Sequence, residues 1–172
     1  EGLGLFHSEP SSVDLATLSF GESSTVTPIQ LANVFCALVN GGTLMKPQVV
    51  KALTDRNGDI IHEFAPVAIK TVFSENTANR VKEMMKSVVA EGTGSAGYVE
   101  GYTVAGKTST STIDIGEDQG MHVLSFGCYA PFDNPQIVVL VIINKPLDKE
   151  LGSSAAARVA AQIISPTLEY LG

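Results

Sequence analysis

Two apolar segments near the end of the chain, His122 to Ala130 and Gln136 to Ile143, lie so close in sequence that they must be neighbours in space. Both are rich in the β-branched and aromatic residues that favour strands. Between them stands Phe132-Asp133-Asn134-Pro135, a run of turn formers that closes a tight connection. Strands joined this closely pair antiparallel. A third extended segment, Tyr102 to Ile113, precedes them, and a helical pattern from Ser154 to Leu171 follows, with Pro166 expected to kink it. Three consecutive strands and a closing helix predict an α/β fold of the α+β type, an antiparallel sheet flanked by helices.

Upstream the pattern is less regular. Glu1 to Ser24 is rich in Gly, Ser and Pro and reads as an extended loop that starts mid-fold. Thr27-Pro28-Ile29-Gln30 is a helix start, with Thr27 as cap, Pro28 at the first helical position and Gln30 closing a capping box. Leu31, Val34, Phe35 and Leu38 follow at helical spacing, and Asn40-Gly41-Gly42 ends the run. Pro47 to Thr54 reads as a strand, Arg56 to Asp59 as a hairpin turn, and Ile60 to Phe64 as the returning strand. Ser74 opens a second helix with Val81, Met84, Met85 and Val88 on one face, and Gly92 closes it. Met45, Met84 and Met85 are expected in the core. Gly92 to Gly97 reads as a cap and a loop, and Asp114, Glu117 and Asp118 as a solvated acidic loop.

A chain of 172 residues is one domain or a large piece of one, and it buries enough surface (roughly 70%) to fold without a metal or a disulfide. Eleven Lys and Arg against 18 Asp and Glu give a net charge of −7, which argues against nucleic acid or an anionic membrane as partner. The longest wholly apolar run, Ile137 to Ile143, is too short to span a bilayer, and no secretory leader is visible. Cys36 and Cys128 sit in apolar patterns and read as buried free thiols. His7, His62 and His122 lack acidic or cysteine neighbours at ligand spacing, so no metal and no cofactor is expected.

Gly101-Tyr-Thr-Val-Ala-Gly106-Lys107-Thr108 has the letters of a phosphate-binding P-loop. Its context is wrong. A P-loop needs an apolar strand before it and a helix after it, so that backbone amides meet the phosphates. Here a glycine loop precedes, and Ser109-Thr110-Ser111-Thr112 favours extended chain. On a strand, Thr108 and Thr110 share one face while Lys107 and Ser109 share the other. A cation with hydroxyls beside it on a strand edge suits a carboxylate ligand, and free backbone N–H groups there suit an oxyanion.

Val104-Ala-Gly-Lys107-Thr108-Ser109-Thr110 resembles the K-T-G-T strand of penicillin-binding proteins. Ser19-Phe-Gly-Glu, Val26-Thr-Pro-Ile-Gln-Leu-Ala, Asn40-Gly-Gly-Thr-Leu-Met-Lys-Pro47, Glu91-Gly-Thr-Gly94 and Ala130-Pro-Phe-Asp-Asn-Pro135 agree with it in order. Nearly the whole chain is similar to the transpeptidase domain of class B enzymes of the division and sporulation type. The resemblance implies a penicillin-binding, serine β-lactamase-like fold. It also implies a D,D-transpeptidase that cross-links peptidoglycan stem peptides through an acyl-serine and is trapped by β-lactams. Under it Lys107 serves electrostatics and proton traffic, Thr108 and Thr110 hold the substrate carboxylate, and the Thr110 N–H is an oxyanion donor. Ser109 stands where the family has Gly, close to the nucleophile-bearing helix.

No serine of this chain is followed by lysine three positions on. Ser74-Glu75-Asn76 has the form of the family's S-x-N motif, but Ser74 is better explained as a helix cap. Residues 1–172 are therefore expected to be the C-terminal portion of a transpeptidase domain, without the half that carries S-x-x-K and S-x-N, and inert alone. The absent half is the first expected partner, and an uncovered apolar face is expected to favour self-association. Other cell-wall synthesis proteins are further candidates. The parent is expected at the extracytoplasmic face of the bacterial membrane, anchored upstream. Two alternatives remain: a non-catalytic cell-wall binding module or pseudoenzyme, and a P-loop nucleotide binder.

Overall fold

A computed structural model describes residues 2–6, 8–113, 116–148 and 150–172. The expectations for His7 and Asp114 lie outside these. The core is a three-stranded antiparallel sheet of β5 (Ala105–Thr112), β6 (His122–Ala130) and β7 (Ile137–Asn144), in that order. The register sets Lys107 opposite Gly127, Thr108 opposite Phe126 and Thr110 opposite Leu124. β6 is central and mostly buried, as its apolar composition requires.

Helices cover both faces. α4 (Ser154–Leu171) lays Ala156, Ala157, Ala160, Ile164 and Leu168 on one face, against Val104, Phe126 and Cys128. Its small residues let the helix approach the sheet closely. Pro166, expected to kink this helix, lies inside a single continuous α4. Proline inside a helix costs about 3 kcal/mol, but Ile164 and Leu168 are buried on either side of it and hold the helix on the sheet. On the opposite face α2 (Pro28–Val39) and α3 (Glu75–Glu91) enclose Leu38, Ala78, Met85, Ala105, Tyr129 and Phe132.

The local signals for α2 and α3 are realised. Thr27 and Gln30 form the reciprocal capping box, and Gly41 and Gly42 take positive φ at the exit. Ser74 accepts a hydrogen bond from the Thr77 N–H at 3.1 Å. Ser74→Ala is therefore expected to cost about 1 kcal/mol of stability, read as a lower thermal midpoint. An unchanged midpoint would refute the capping role. Gly92 ends α3 with extended rather than left-handed backbone, and the need for glycine is steric: a Cβ there would lie 2.9 Å from the Val88 carbonyl oxygen. Met85 is buried, Met45 half-buried and Met84 60% exposed, so the methionine run is not uniformly core.

The N-terminal stretch is not wholly a loop. α1 (Ser12–Leu18) is set by a capping box between Ser11 and Asp14. The expected strand over Pro47 to Thr54 shrinks to β2 (Ala52–Thr54), paired with β3 (Ile60–Glu63) across the Arg56–Asp59 turn. A further pair, β1 (Thr43–Met45) with β4 (Ala68–Thr71), joins segments far apart in sequence. Among the described residues no helix is long and apolar enough to cross a membrane.

Both cysteines are free. Cys128 is buried and Cys36 only half-buried, beside Met45, Lys46 and Pro47 at a surface cleft. Burial pushes the Cys128 thiol from 9.0 up to about 12, against a small opposing effect of its contact with the Val139 carbonyl. A raised thiol value means the folded state disfavours the thiolate. That stabilisation is complete below about pH 9 and is lost as pH rises toward about 12. Denaturant stability is expected to fall above pH 9 more steeply in the native sequence than in Cys128→Ala. Parallel curves would contradict this.

Candidate functional site

β5 is the edge of its sheet, so half of its N–H and C=O groups point away from β6. The strand leaves the core midway. Ala105 and Gly106 are fully covered, whereas Lys107, Ser109 and Thr110 are exposed. The P-loop letters thus fall on a turn and a strand with no helix behind them, which removes the nucleotide reading.

Alternation places Lys107 and Ser109 on the face of Ala105, toward α2 and α3. There Lys107 lines a mostly apolar cleft of about 600 Å³ with Ser19, Phe35, Phe73, Thr77, Val81 and Met84 among its walls. Its floor is made possible by Gly127, opposite Lys107. A Cβ at that position would come within 2.3 Å of the Phe35 ring, so only glycine lets α2 sit this close to the strand. The Lys107 ammonium donates to the Thr108 carbonyl at 2.6 Å and has no carboxylate partner among the described residues. It is a cation held by its own strand at the mouth of an apolar cleft.

Thr108 lies on the other face, 5% exposed. Its hydroxyl is 2.8 Å from that of Thr93, in the turn that leaves α3. Thr110 shares that face but is exposed, because it lies toward the end of the strand away from the buried Ala105 and Gly106. The four expected site residues are therefore contiguous on one strand but not equivalent. Three reach solvent and one is locked. Glu117 and Asp118 lie in the turn between β5 and β6, where Asp118 pairs with Lys145 at the end of β7. His62 packs edge-on against Phe64, and His122 contacts the Thr112 hydroxyl through Nδ1 at 3.3 Å.

Two polar residues beside the strand, Ser19 and Thr93, had no place in the sequence-derived site. The sequence carried a sign of the second: Thr93 stands between two glycines, the local mark of a close backbone approach.

The family described as penicillin binding protein transpeptidase domain matches residues 4–165. Stage V sporulation protein D of Bacillus subtilis is 38% identical over 164 residues, covering 93% of this chain and 25% of that protein. A peptidoglycan D,D-transpeptidase FtsI homolog of Mesostigma viride is 34% identical over 168 residues, covering 88% of this chain and 28% of that protein. The transpeptidase domain of Burkholderia pseudomallei penicillin-binding protein 3 superposes with a TM-score of 0.83 at 31% identity, over 98% of this chain and 50% of that one. The chain thus spans about a quarter of the length of these two curated relatives. With the edge-strand lysine, the hydroxyls beside it and a family match over most of its length, the chain belongs to the penicillin-binding protein transpeptidase domain family.

Proposed function

We propose that this chain supplies the third-motif half of a D,D-transpeptidase site that binds β-lactams and peptidoglycan stem peptides. The observation that carries the reading is Lys107 at the mouth of the apolar cleft, with the exposed Ser109 on the same face of the strand and the exposed Thr110 on the other. In this reading the missing S-x-x-K segment seats its serine against that cleft. The serine oxygen attacks the penultimate D-Ala carbonyl, terminal D-Ala leaves, and an amine of a second stem peptide takes the acyl group. Lys107 neutralises developing negative charge and assists proton transfer. Thr110 and Thr108 hold the terminal carboxylate, and the Thr110 N–H faces the oxyanion. The parent works at the outer face of the bacterial membrane.

Val34, Val81 and Met84 on the cleft wall are 46%, 36% and 60% exposed. Such a wall fits an absent half-domain, and in its absence a second copy of the chain. Ser109 is exposed on the Lys107 face, so its side chain projects toward whatever fills the cleft. That favours slower acylation than a glycine would allow, and in the extreme a pseudoenzyme.

The test is intact mass after incubation with a penicillin, on this chain and on a protein extended upstream to include S-x-x-K. An adduct is expected only on the longer protein. An adduct on the short chain would refute its inertness, and none on either would favour the pseudoenzyme. Native mass of the short chain reads its self-association, and a monomer at every concentration would reject that part.

A further inference from the structure

Thr108 is buried, 5% exposed, and burying a hydroxyl favours giving it a partner. That partner is Thr93, fifteen positions earlier, with the two hydroxyl oxygens 2.8 Å apart. The placement of Thr93 is built. Gly92 and Gly94 both donate their N–H to the Val88 carbonyl, at 3.1 and 3.0 Å, which folds the turn tightly onto the end of α3. A Cβ on Gly94 would meet Val88 at 3.2 Å and the Phe126 ring at 3.3 Å, so the turn presses against the sheet beneath β5. The Thr108 carbonyl is in turn the acceptor for Lys107. Thr93, Thr108 and Lys107 form one connected set.

A hydroxyl has one proton and can donate once. If Thr108 donates to Thr93, it has no proton left for a ligand. If Thr93 donates to Thr108, the Thr108 proton is free to turn toward an anion, and the second bond is strengthened by the first. We propose that Thr93 is a positioning residue that donates to Thr108 and so reserves the Thr108 proton for the carboxylate of the bound peptide or β-lactam. This inference rests on the carboxylate-binding function proposed above.

The test uses the upstream-extended protein and compares acylation by a penicillin with acylation by its methyl ester, which lacks the free carboxylate. Thr93→Val keeps the shape and removes the hydroxyl. It is expected to slow acylation by the free acid up to about tenfold, because the Thr108 hydroxyl loses the bond that orients it and strengthens its own donation, and to leave the ester nearly unchanged. Thr93→Ser is expected to restore the native rate. Equal slowing with both compounds, no slowing, or failure of Thr93→Ser to rescue would each overturn the proposal, since a purely structural role affects both compounds alike. Thr93→Cys, a weak donor of similar size, carries the same criteria if Thr93→Val does not fold. If the unsubstituted protein forms no adduct with either compound, the proposed function fails and this inference falls with it.

Discussion

Phe126→Ala is expected to destabilise the chain by about 3–5 kcal/mol. Phe126 is fully buried at the centre of β6, directly opposite Thr108. Its ring occupies space that three glycines leave open. A Cβ on Gly106 would come within 2.5 Å of the ring, one on Gly97 within 2.8 Å, and one on Gly94 within 3.3 Å. These glycines come from β5, from the turn after α3 and from the short 3-10 turn at Ser95–Gly97, so the ring ties three segments to the sheet. With the ring gone, glycine offers no side chain to fill the void, and the site collapses poorly. The loss is a large part of the total stability of an ordinary domain, about 5–15 kcal/mol. Chemical denaturation of this chain reads it directly. A loss below about 1 kcal/mol would show that the cradle relaxes around alanine.

Lys107→Ala in the upstream-extended protein is expected to slow penicillin acylation by about 10²–10³-fold, the usual effect of removing one group that stabilises developing charge. The thermal midpoint is expected to stay within about 1 kcal/mol equivalent of the native one, because exposed side chains contribute little to folding. Lys107 is exposed, and its ammonium bonds only to the neighbouring Thr108 carbonyl. Rate and stability thus separate at this residue, whereas they move together at Phe126. A rate within threefold of native, measured by the time course of adduct mass, would remove Lys107 from the chemistry.

Much of the scaffold was legible because its signals are local. The Thr27–Gln30 box, the Ser74 cap and the Asn40-Gly41-Gly42 exit each act over a single turn, and each appears as read. The β6–β7 hairpin was legible because two long apolar runs joined by a tight turn have few other ways to bury themselves. The α1 helix was equally local, yet its Ser11–Asp14 box was hidden in a segment whose Gly, Ser and Pro content spoke for a loop. The β1–β4 pair was of another kind. Its short strands are partly or wholly exposed, show no alternation, and are flanked by backbone bonds from the Val72 and Phe73 N–H groups to the Gly42 carbonyl and from the Lys46 N–H to the Val67 carbonyl.

At the site the same division holds. Strand period and flanking context are properties of contiguous residues, so the residues alone put Lys107, Thr108, Ser109 and Thr110 on one strand, alternate them between two faces, and mark the P-loop letters as a coincidence. Which face is a cleft and which is core was set by packing between distant elements. Phe35 reaches Gly127 from α2, and Thr93 reaches Thr108 from the turn after α3. These contacts join residues far apart along the chain, and whether a hydroxyl ends up free or locked depends on what the packing of distant elements places against it.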